Sequence, residues 1–284
     1  MSEINRATGL LIIEVVNSNP NGDPDRESDP RQRANGQGEI SPVSFKRKLR
    51  DLVEAKDQPV FQSLKERLQL KDGCFEILES RGRDRSSIIN EMKDGGDDFM
   101  TSTFVKKYWD ARIFGNTFLE EEGDKGTIKT GVVQFGMGLS VKPIEIVRHT
   151  NTNKAGVQEG KNQGMAPMAY RVVTHAVYCM PFFINPTYAS KSGCTIKDLE
   201  LFKALIAYAY DHTRSAIRPD VRIRHAWFVE HKDALGTCPD YMIFDALTPK
   251  AKVEPPTSWD DYEVPTALPN ELTSKGLALI DLVN

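Results

Sequence analysis

Cysteine is scarce in this chain. There are four in 284 residues, Cys74, Cys179, Cys194 and Cys238, far apart and with no C-x-x-C pair. That spacing argues against a zinc ribbon or a disulfide framework and predicts reduced thiols and a cytoplasmic location. Long apolar runs are also missing. None approaches the roughly 20 residues that span a bilayer, and the N-terminal MSEINRATG lacks the layout of a signal peptide. No membrane partner is expected. Histidine is sparse too: His149, His175, His212, His225 and His231 are scattered, and no nucleophile–base pair can be named from them. The glycines of 131–138 come without the lysine of a phosphate-binding loop, and no G-x-S-x-G, H-E-x-x-H or G-x-G-x-x-G occurs. These absences predict a protein that is not an enzyme and that carries no cofactor or metal.

A large positive charge is missing as well. The net charge is −3, which speaks against a simple basic nucleic-acid binder. The distribution weakens that objection. From Glu230 to the end there are ten acids and four Lys/Arg, a balance of −6, so residues 1–229 carry +3. With 39% hydrophobic and 27% charged residues, the chain suits one large domain with insertions or two small ones.

The stretch Leu10–Asp51 organises the rest. Leu10–Val16, interrupted only by Glu14, predicts a central strand. Asn17–Glu39 holds Pro20, Gly22, Pro24, Pro30, Gly36 and Gly38 and predicts a long loop, uncommon in a compact domain unless functional or disordered. A helix then starts at Ser41 as N-cap with Pro42 first. Phe45, Leu49, Leu52 and Val53 share its apolar face, Lys46, Arg47 and Arg50 its flank, and Lys48 the far side. Between Arg31 and Arg50 there are six Lys/Arg and one acid, Glu39. Arg31 and Arg33 in the loop and the cationic flank suit a phosphate backbone; a solvated helix face beside a disordered loop is the alternative.

Further along, residues 56–83 read as helical with a turn at Lys71-Asp72-Gly73, 86–93 as a short helix, and 101–114 as a helix closed by Gly115. Residues 131–147 read as a strand broken at Gly136, Gly138 and Pro143. Arg148–Met168 reads as a second irregular stretch without apolar period. Arg171–Ile184 is a strand, Thr195 opens a helix with Asp198 three residues on, and Arg222–His231 is a final strand. The proline-rich tail from Thr248 is expected to wrap the surface, with Leu277–Leu282 docked. The expected fold is α+β: a βαββαβ, RRM-like or ferredoxin-like palm over 1–56 and 131–247, a helical fingers insertion over 57–130, a thumb loop over about 148–168, and an acidic tail over 248–284.

One catalytic option is open. Asp23, Asp25 and Asp29 sit in the first loop near cations, where a carboxylate can align a metal or a ribose 2′-OH. Asp-Pro pairs at 23–24 and 29–30 equally favour turns.

Asn17-Ser18-Asn19-Pro20-Asn21-Gly22-Asp23-Pro24 after a first strand, then Lys46-Arg47-Lys48-Leu49-Arg50-Asp51, Trp109-Asp110-Ala111-Arg112-Ile113-Phe114-Gly115 and Thr130-Gly131-Val132-Val133-Gln134-Phe135, in that order, resemble the backbone subunit of type I CRISPR Cascade complexes, in its type I-C (Dvulg) form. The similarity spans roughly residues 8–230. It implies a non-catalytic homo-oligomer that coats CRISPR RNA and presents it to target DNA beside other Cascade subunits. Relatives in type III systems cut RNA with a loop aspartate, which keeps a metal-dependent RNA endonuclease as the alternative.

Under that resemblance Lys46, Arg47 and Arg50 are candidates for phosphate. Arg218, Arg222 and Arg224 are a second set, or a structural ion-pair group. Asn17, Asn19 and Asn21 are candidate donors to phosphate or 2′-OH, or turn formers. Arg148, His149, Lys154, Lys161, Met165 and Met168 belong to the expected thumb, where Met165, Pro167 and Met168 either wedge beside a displaced base or return the chain to the core. Gln134 and the glycines at 131, 136 and 138 are candidates for close approach of the RNA backbone. Arg112, Phe114 and Gly115 are expected to pack the insertion.

Overall fold

A computed structural model of the chain describes residues 4–93, 103–115, 130–153 and 166–284. In chain order, strand β1 (Ala7–Ser18) leads through a loop to β2 (Gln37–Ile40) and helix α1 (Pro42–Glu54). Helices α2 (Pro59–Leu68), α3 (Arg85–Lys93), α4 (Thr103–Lys107) and α5 (Trp109–Phe114) follow. Then come β3 (Val133–Phe135), β4 (Gly138–Pro143), β5 (Ile146–Asn153), β6 (Ala166–Ile184), α6 (Ala189–Ser192), α7 (Ile196–Ile206) and β7 (Val221–Glu230). The C-terminal part holds α8 (Asp240–Leu247), the short strands β8 (Lys250–Ala251) and β9 (Tyr262–Glu263), α9 (Asn270–Thr273) and β10 (Ala278–Asp281).

The fold is mixed α/β around one large antiparallel sheet in the order β10-β7-β1-β6-β4-β2, with β3 and β5 also pairing with β6. β1 is central because it is apolar on both faces, as a strand covered on two sides must be. Leu11, Ile13 and Val15 point into one core with Phe45, Leu49 and Phe202 from α1 and α7. Leu10 and Ile12 point into a second core with Ile243 and Leu247 from α8 and with Tyr262, Leu268, Leu272 and Leu277. The tail therefore does more than wrap the surface. It seals the second face of the sheet, and β10 extends the sheet beyond β7.

Two expectations about irregular chain are corrected. The loop after β1 is laced at Gly22↔Pro30 and Gln32↔Gly38 and contains β2. Much of the stretch from Arg148 to Met168 is a β-ribbon: β5 pairs with β6 from Ile146↔Val173 to Asn153↔Ala166. A two-stranded ribbon of this kind builds on β-branched polar residues such as Thr150 and Thr152, so its sequence carries no apolar alternation.

The WDARIFG segment locks the helices between α1 and β3 onto the sheet. The buried Arg112 guanidinium donates to Asp198 Oδ1 at 2.7 Å and Oδ2 at 3.1 Å, and to the Val105, Lys106 and Cys74 carbonyls. Trp109 Nε1 donates to the Asp198 carbonyl at 3.1 Å. Asp198 also serves the Thr195 capping box that starts α7, so one carboxylate joins a helix start to the insertion.

Candidate nucleic-acid interface

Helix α1 starts where the sequence places it. The Ser41 hydroxyl accepts from Ser44 N at 3.2 Å, and Ser41 N donates to Asn21 Oδ1 at 2.7 Å. Its expected basic flank is largely neutralised. Arg50 is only 5% exposed and pairs with Asp110 and Glu79, each at 2.9 Å. Asp110 in turn accepts from Leu78 N at 2.7 Å and Glu79 N at 3.1 Å. Arg47 pairs with Asp51 at 3.1 Å and Glu54 at 3.7 Å, and donates to the Glu79 carbonyl. Arg50 and Arg47 thus bind the helix to the segment around Glu79, although Nε and Nη2 of Arg47 are buried without a hydrogen-bond partner. Lys46 differs. Its ammonium lies 5.2 Å over the Phe114 ring and forms no salt bridge with a described residue. Burial, then the neighbouring Arg50, lower it to about 8, against the pull of Glu79.

Lys48, assigned from the sequence to the far side of the helix, is 4% exposed. The reason is helical geometry: position 48 is three residues after Phe45 and four before Leu52, so it shares their face. Its stem is buried and its ammonium sits 4.8 Å over the Tyr210 ring, donating to Thr213 Oγ1 at 3.3 Å. Burial, then the charge of Arg218, bring it to about 8, while Asp51 draws it upward. Arg218 Nε donates to the Asn19 carbonyl at 2.9 Å. Neither Lys48 nor Arg218 is in a salt bridge with a described carboxylate. Two neighbouring cations, one of them buried, therefore lack a salt-bridge partner among the described residues.

The backbone around this pair is tied down. Val16 N donates to the Asp220 carbonyl at 3.0 Å and Asn19 N to the Ile217 carbonyl at 2.8 Å. Asn17 lies between those two bonds, exposed and in the left-handed region at φ 42°. Asn19 is 1% exposed and donates to the Ser28 carbonyl at 2.8 Å, but its Oδ1 has no partner. The buried Tyr210 hydroxyl also lacks one. Asn21 is committed on both ends, to Ser41 N and the Gly22 carbonyl.

The remaining candidates fall elsewhere. Arg222 pairs with Asp220 at 2.5 Å and Glu14 at 3.4 Å, and Arg224 with Glu14 at 2.9 Å while stacking on Trp259 at 4.6 Å. They serve an ion-pair group on the tail-covered face. Burial raises Glu14, but the His175 hydrogen bond and the charges of Arg224 and Arg222 bring it below its ordinary value overall. Arg31 faces Asp23 at 3.8 Å and Arg33 pairs with Glu39 at 2.5 Å. Gln134 folds back onto the Gly131 carbonyl at 3.0 Å. Each of the three glycines has protein packed where a side chain would be. A Cβ on Gly131 would lie 2.3 Å from Gly115 N, on Gly136 2.7 Å from Pro181, and on Gly138 3.0 Å from Met180.

At the base of the β5–β6 ribbon, Arg148 and Arg171 both engage Asp29, and Arg171 also engages Glu27. The hydrogen bond from Arg148 is the main reason Asp29 titrates below its ordinary range. Asp29 is thus held as a strut between the first loop and the ribbon, and Asp23 caps a short 3-10 turn by accepting from Asp25 N at 3.2 Å. Among the described residues no cluster of His, Cys, Asp and Glu could hold a metal. Arg171 was not among the sequence candidates; it lies in what reads as plain strand. His149 is exposed on β5. Met168 pairs with Asn151 in the ribbon, while Lys154, Lys161 and Met165 lie outside the described residues.

Comparison with known proteins supplies the family. A family model described as "CRISPR-associated protein Cas7" matches residues 5–267. A curated protein of Haloferax volcanii with that same description is 30% identical over 234 residues, which cover 72% of this chain and 64% of the relative. The match thus spans less than two thirds of that relative's length. Among solved structures, a chain of a "CRISPR RNA-guided surveillance complex, pre-nicking" superposes at a TM-score of 0.48 with 14% identity, covering 80% of this chain and 79% of the other. One from a "CRISPR RNA-guided surveillance complex" gives 0.42 with 14% identity, covering 80% and 70%. Among the described residues no helix is long and apolar enough to cross a membrane.

Proposed function

The chain belongs to the family of CRISPR-associated Cas7 proteins, and from that membership we propose that it is the subunit that coats CRISPR RNA, in several head-to-tail copies, and presents the guide for pairing with target DNA beside the other subunits of a type I-C complex. Head-to-tail copies need a heterologous contact, which generates an open helix. Specificity then resides in base pairing, and the protein needs only sequence-independent backbone contacts.

The observation that carries the reading is the Lys48–Arg218 pair. Burying a charge is costly unless a counter-charge is paired with it, and no described carboxylate forms a salt bridge with either cation, Asp51 acting on Lys48 only from beyond that range. A phosphodiester from outside is the counter-charge that fits a surface of this kind. Lys46 and the exposed Asn17 extend the same role, and the β5–β6 ribbon, braced by Asp29, is the thumb. Strands β1, β4, β6 and β7 lie in the order β7-β1-β6-β4, which supports an RRM-like palm. In this division the palm comprises residues 1–56 and 131–247, the fingers 57–130 and the tail 248–284. The role is non-catalytic: Asp29, the buried acid of the first loop, is engaged by two arginines.

The test is co-expression with a CRISPR RNA, followed by particle mass and the 260/280 nm absorbance ratio. The wild type is expected to yield a large RNA-rich particle, and the Lys48→Met, Arg218→Gln double variant a folded protein without RNA. An RNA-rich particle from the double variant overturns the site. RNA trimmed at regular intervals would instead favour the endonuclease.

A further inference from the structure

The Lys48–Arg218 pair has a property that ordinary surface phosphate sites lack. An exposed lysine stays charged whether or not a phosphate is present, so its contribution to RNA binding is governed by salt and not by pH near neutrality. Lys48 is not such a lysine. It is enclosed by the Tyr210 ring at 4.8 Å and the Thr213 hydroxyl at 3.3 Å, with Arg218 as its cationic neighbour and Asp51, on its own helix, as the acid that acts on it without a salt bridge. The neutral amine suits this enclosure, because Thr213 Oγ1 already donates to the Ala209 carbonyl at 2.6 Å and so has a lone pair for either form.

Resting on the RNA-coating reading above, we propose that seating an RNA phosphate at the Lys48–Arg218 pair draws a proton onto Lys48, so that binding is proton-linked and loosens on the alkaline side of neutrality. Thermodynamic linkage requires this coupling. A phosphate beside the ammonium favours the charged form, and whatever raises the affinity for the proton is itself bound more tightly when the proton is present. In the free protein, burial and Arg218 set Lys48 to about 8. Below that value the site is already charged and affinity is flat. Above it, each unit of pH costs up to about tenfold in affinity for one proton taken up. A guanidinium does not give up its proton in proteins, so the steep dependence belongs to lysine. Lys46, over Phe114 beside Arg50, stands in a similar state and serves as the internal comparison.

The experiment measures binding of a single-stranded oligoadenylate RNA to the full chain between pH 7 and pH 9.5 at constant salt, for the wild type, Lys48→Arg and Lys46→Arg. Arginine keeps the charge but cannot give up its proton in this range. The wild type is expected to lose affinity progressively above pH 8, by about tenfold or more at pH 9.5. Lys48→Arg is expected to remove one proton's share of that slope, and Lys46→Arg to leave the Lys48 share in place. Equal slopes for the wild type and Lys48→Arg overturn the proposal while leaving RNA binding intact. Calorimetry of the wild type at pH 8.5 in two buffers of different ionisation enthalpy gives a second reading: net proton uptake is expected, and none overturns the proposal without any variant. Absence of binding at pH 7 by the wild type removes the RNA-coating reading itself, and this proposal with it.

Discussion

Replacing Lys48 by methionine should make the free protein more stable. Lowering of the ammonium from 10.5 to about 8 corresponds to about 3 kcal/mol held against the charged form at neutral pH. Methionine fills nearly the same volume without the charge. Against that gain stand the hydrogen bond to Thr213, about 1 kcal/mol, and the contact with the Tyr210 face, about 1 kcal/mol. Thr213 is not orphaned, since it keeps its bond to Ala209. The balance is a stabilisation of about 1–2 kcal/mol, or roughly 2–3 °C in Tm for a chain of this size. The pH dependence checks its origin. Below pH 8 the lysine is charged in both folded and unfolded states, and the folded state bears the whole cost. Between pH 8 and 10.5 the unfolded chain keeps the proton and the folded one releases it, so wild-type stability rises with pH and the advantage of Lys48→Met shrinks to nothing. Thermal melts at pH 7 and pH 9.5 measure both effects. A Lys48→Met protein less stable than the wild type at pH 7 would refute the reasoning, because it would make Lys48 a satisfied structural group with no need of a phosphate.

Three further outcomes follow from the geometry. Asp110→Asn removes one partner of the buried pair with Arg50 and is expected to destabilise by roughly 3–5 kcal/mol in urea unfolding, with RNA affinity per folded molecule unchanged; a selective loss of RNA would return Arg50 to the interface. Gly131→Ala places a methyl 2.3 Å from the backbone at Gly115 and should cost about 1–3 kcal/mol, whereas a stable variant that fails to bind RNA would reinstate this glycine as a backbone contact. Asp29→Asn should speed proteolysis within the β5–β6 ribbon, and acid should do the same in the wild type: Asp29 titrates low in the folded state, so its contribution is present above the unfolded carboxyl value and is lost as pH falls through the folded one. Unchanged proteolysis in Asp29→Asn would remove it as the strut.

The elements that bury apolar residues were legible in the chain. β1, the start of α1, the Thr195 cap of α7 and strand β7 all follow from runs, caps and periods that record burial directly. The β5–β6 ribbon was not, because a ribbon with little core beneath it has no apolar face to betray its period. β2 was hidden for a related reason: four residues, Gln37–Ile40, carry too little pattern to stand out from the glycines around them. The candidate cations were legible as residues, but the partners that distinguish them were not. Arg47 is matched partly by Asp51, four residues on along the same helix, but the partners of Arg50 and the surroundings of Lys46 and Lys48 come from positions near 79, 110, 114, 210 and 218, and no local spacing reports those. One signal was available: Lys48 is three residues from Phe45 and four from Leu52, a spacing that puts it on the buried face of α1.

That spacing suggests how to read clustered cations more generally. Counting Lys and Arg along α1 finds four and predicts one basic surface. Pairing them first with the acids of the fold leaves two without a salt bridge, Lys46 and Lys48, and those two are the candidates for an outside anion. Arg50, buried and matched by Asp110 and Glu79, is costly to remove. Lys48, matched by none, is costly to keep and gains a partner only when an anion arrives. The two residues therefore make opposite demands on the same helix: loss of the first should show in stability without change in RNA affinity, and loss of the second in RNA affinity with stability improved. A single pair of variants, Arg50→Met and Lys48→Met, compared in melting and in RNA binding, separates structural from functional cations here. If both moved together in both assays, subtraction of internal partners would have no power to locate the interface.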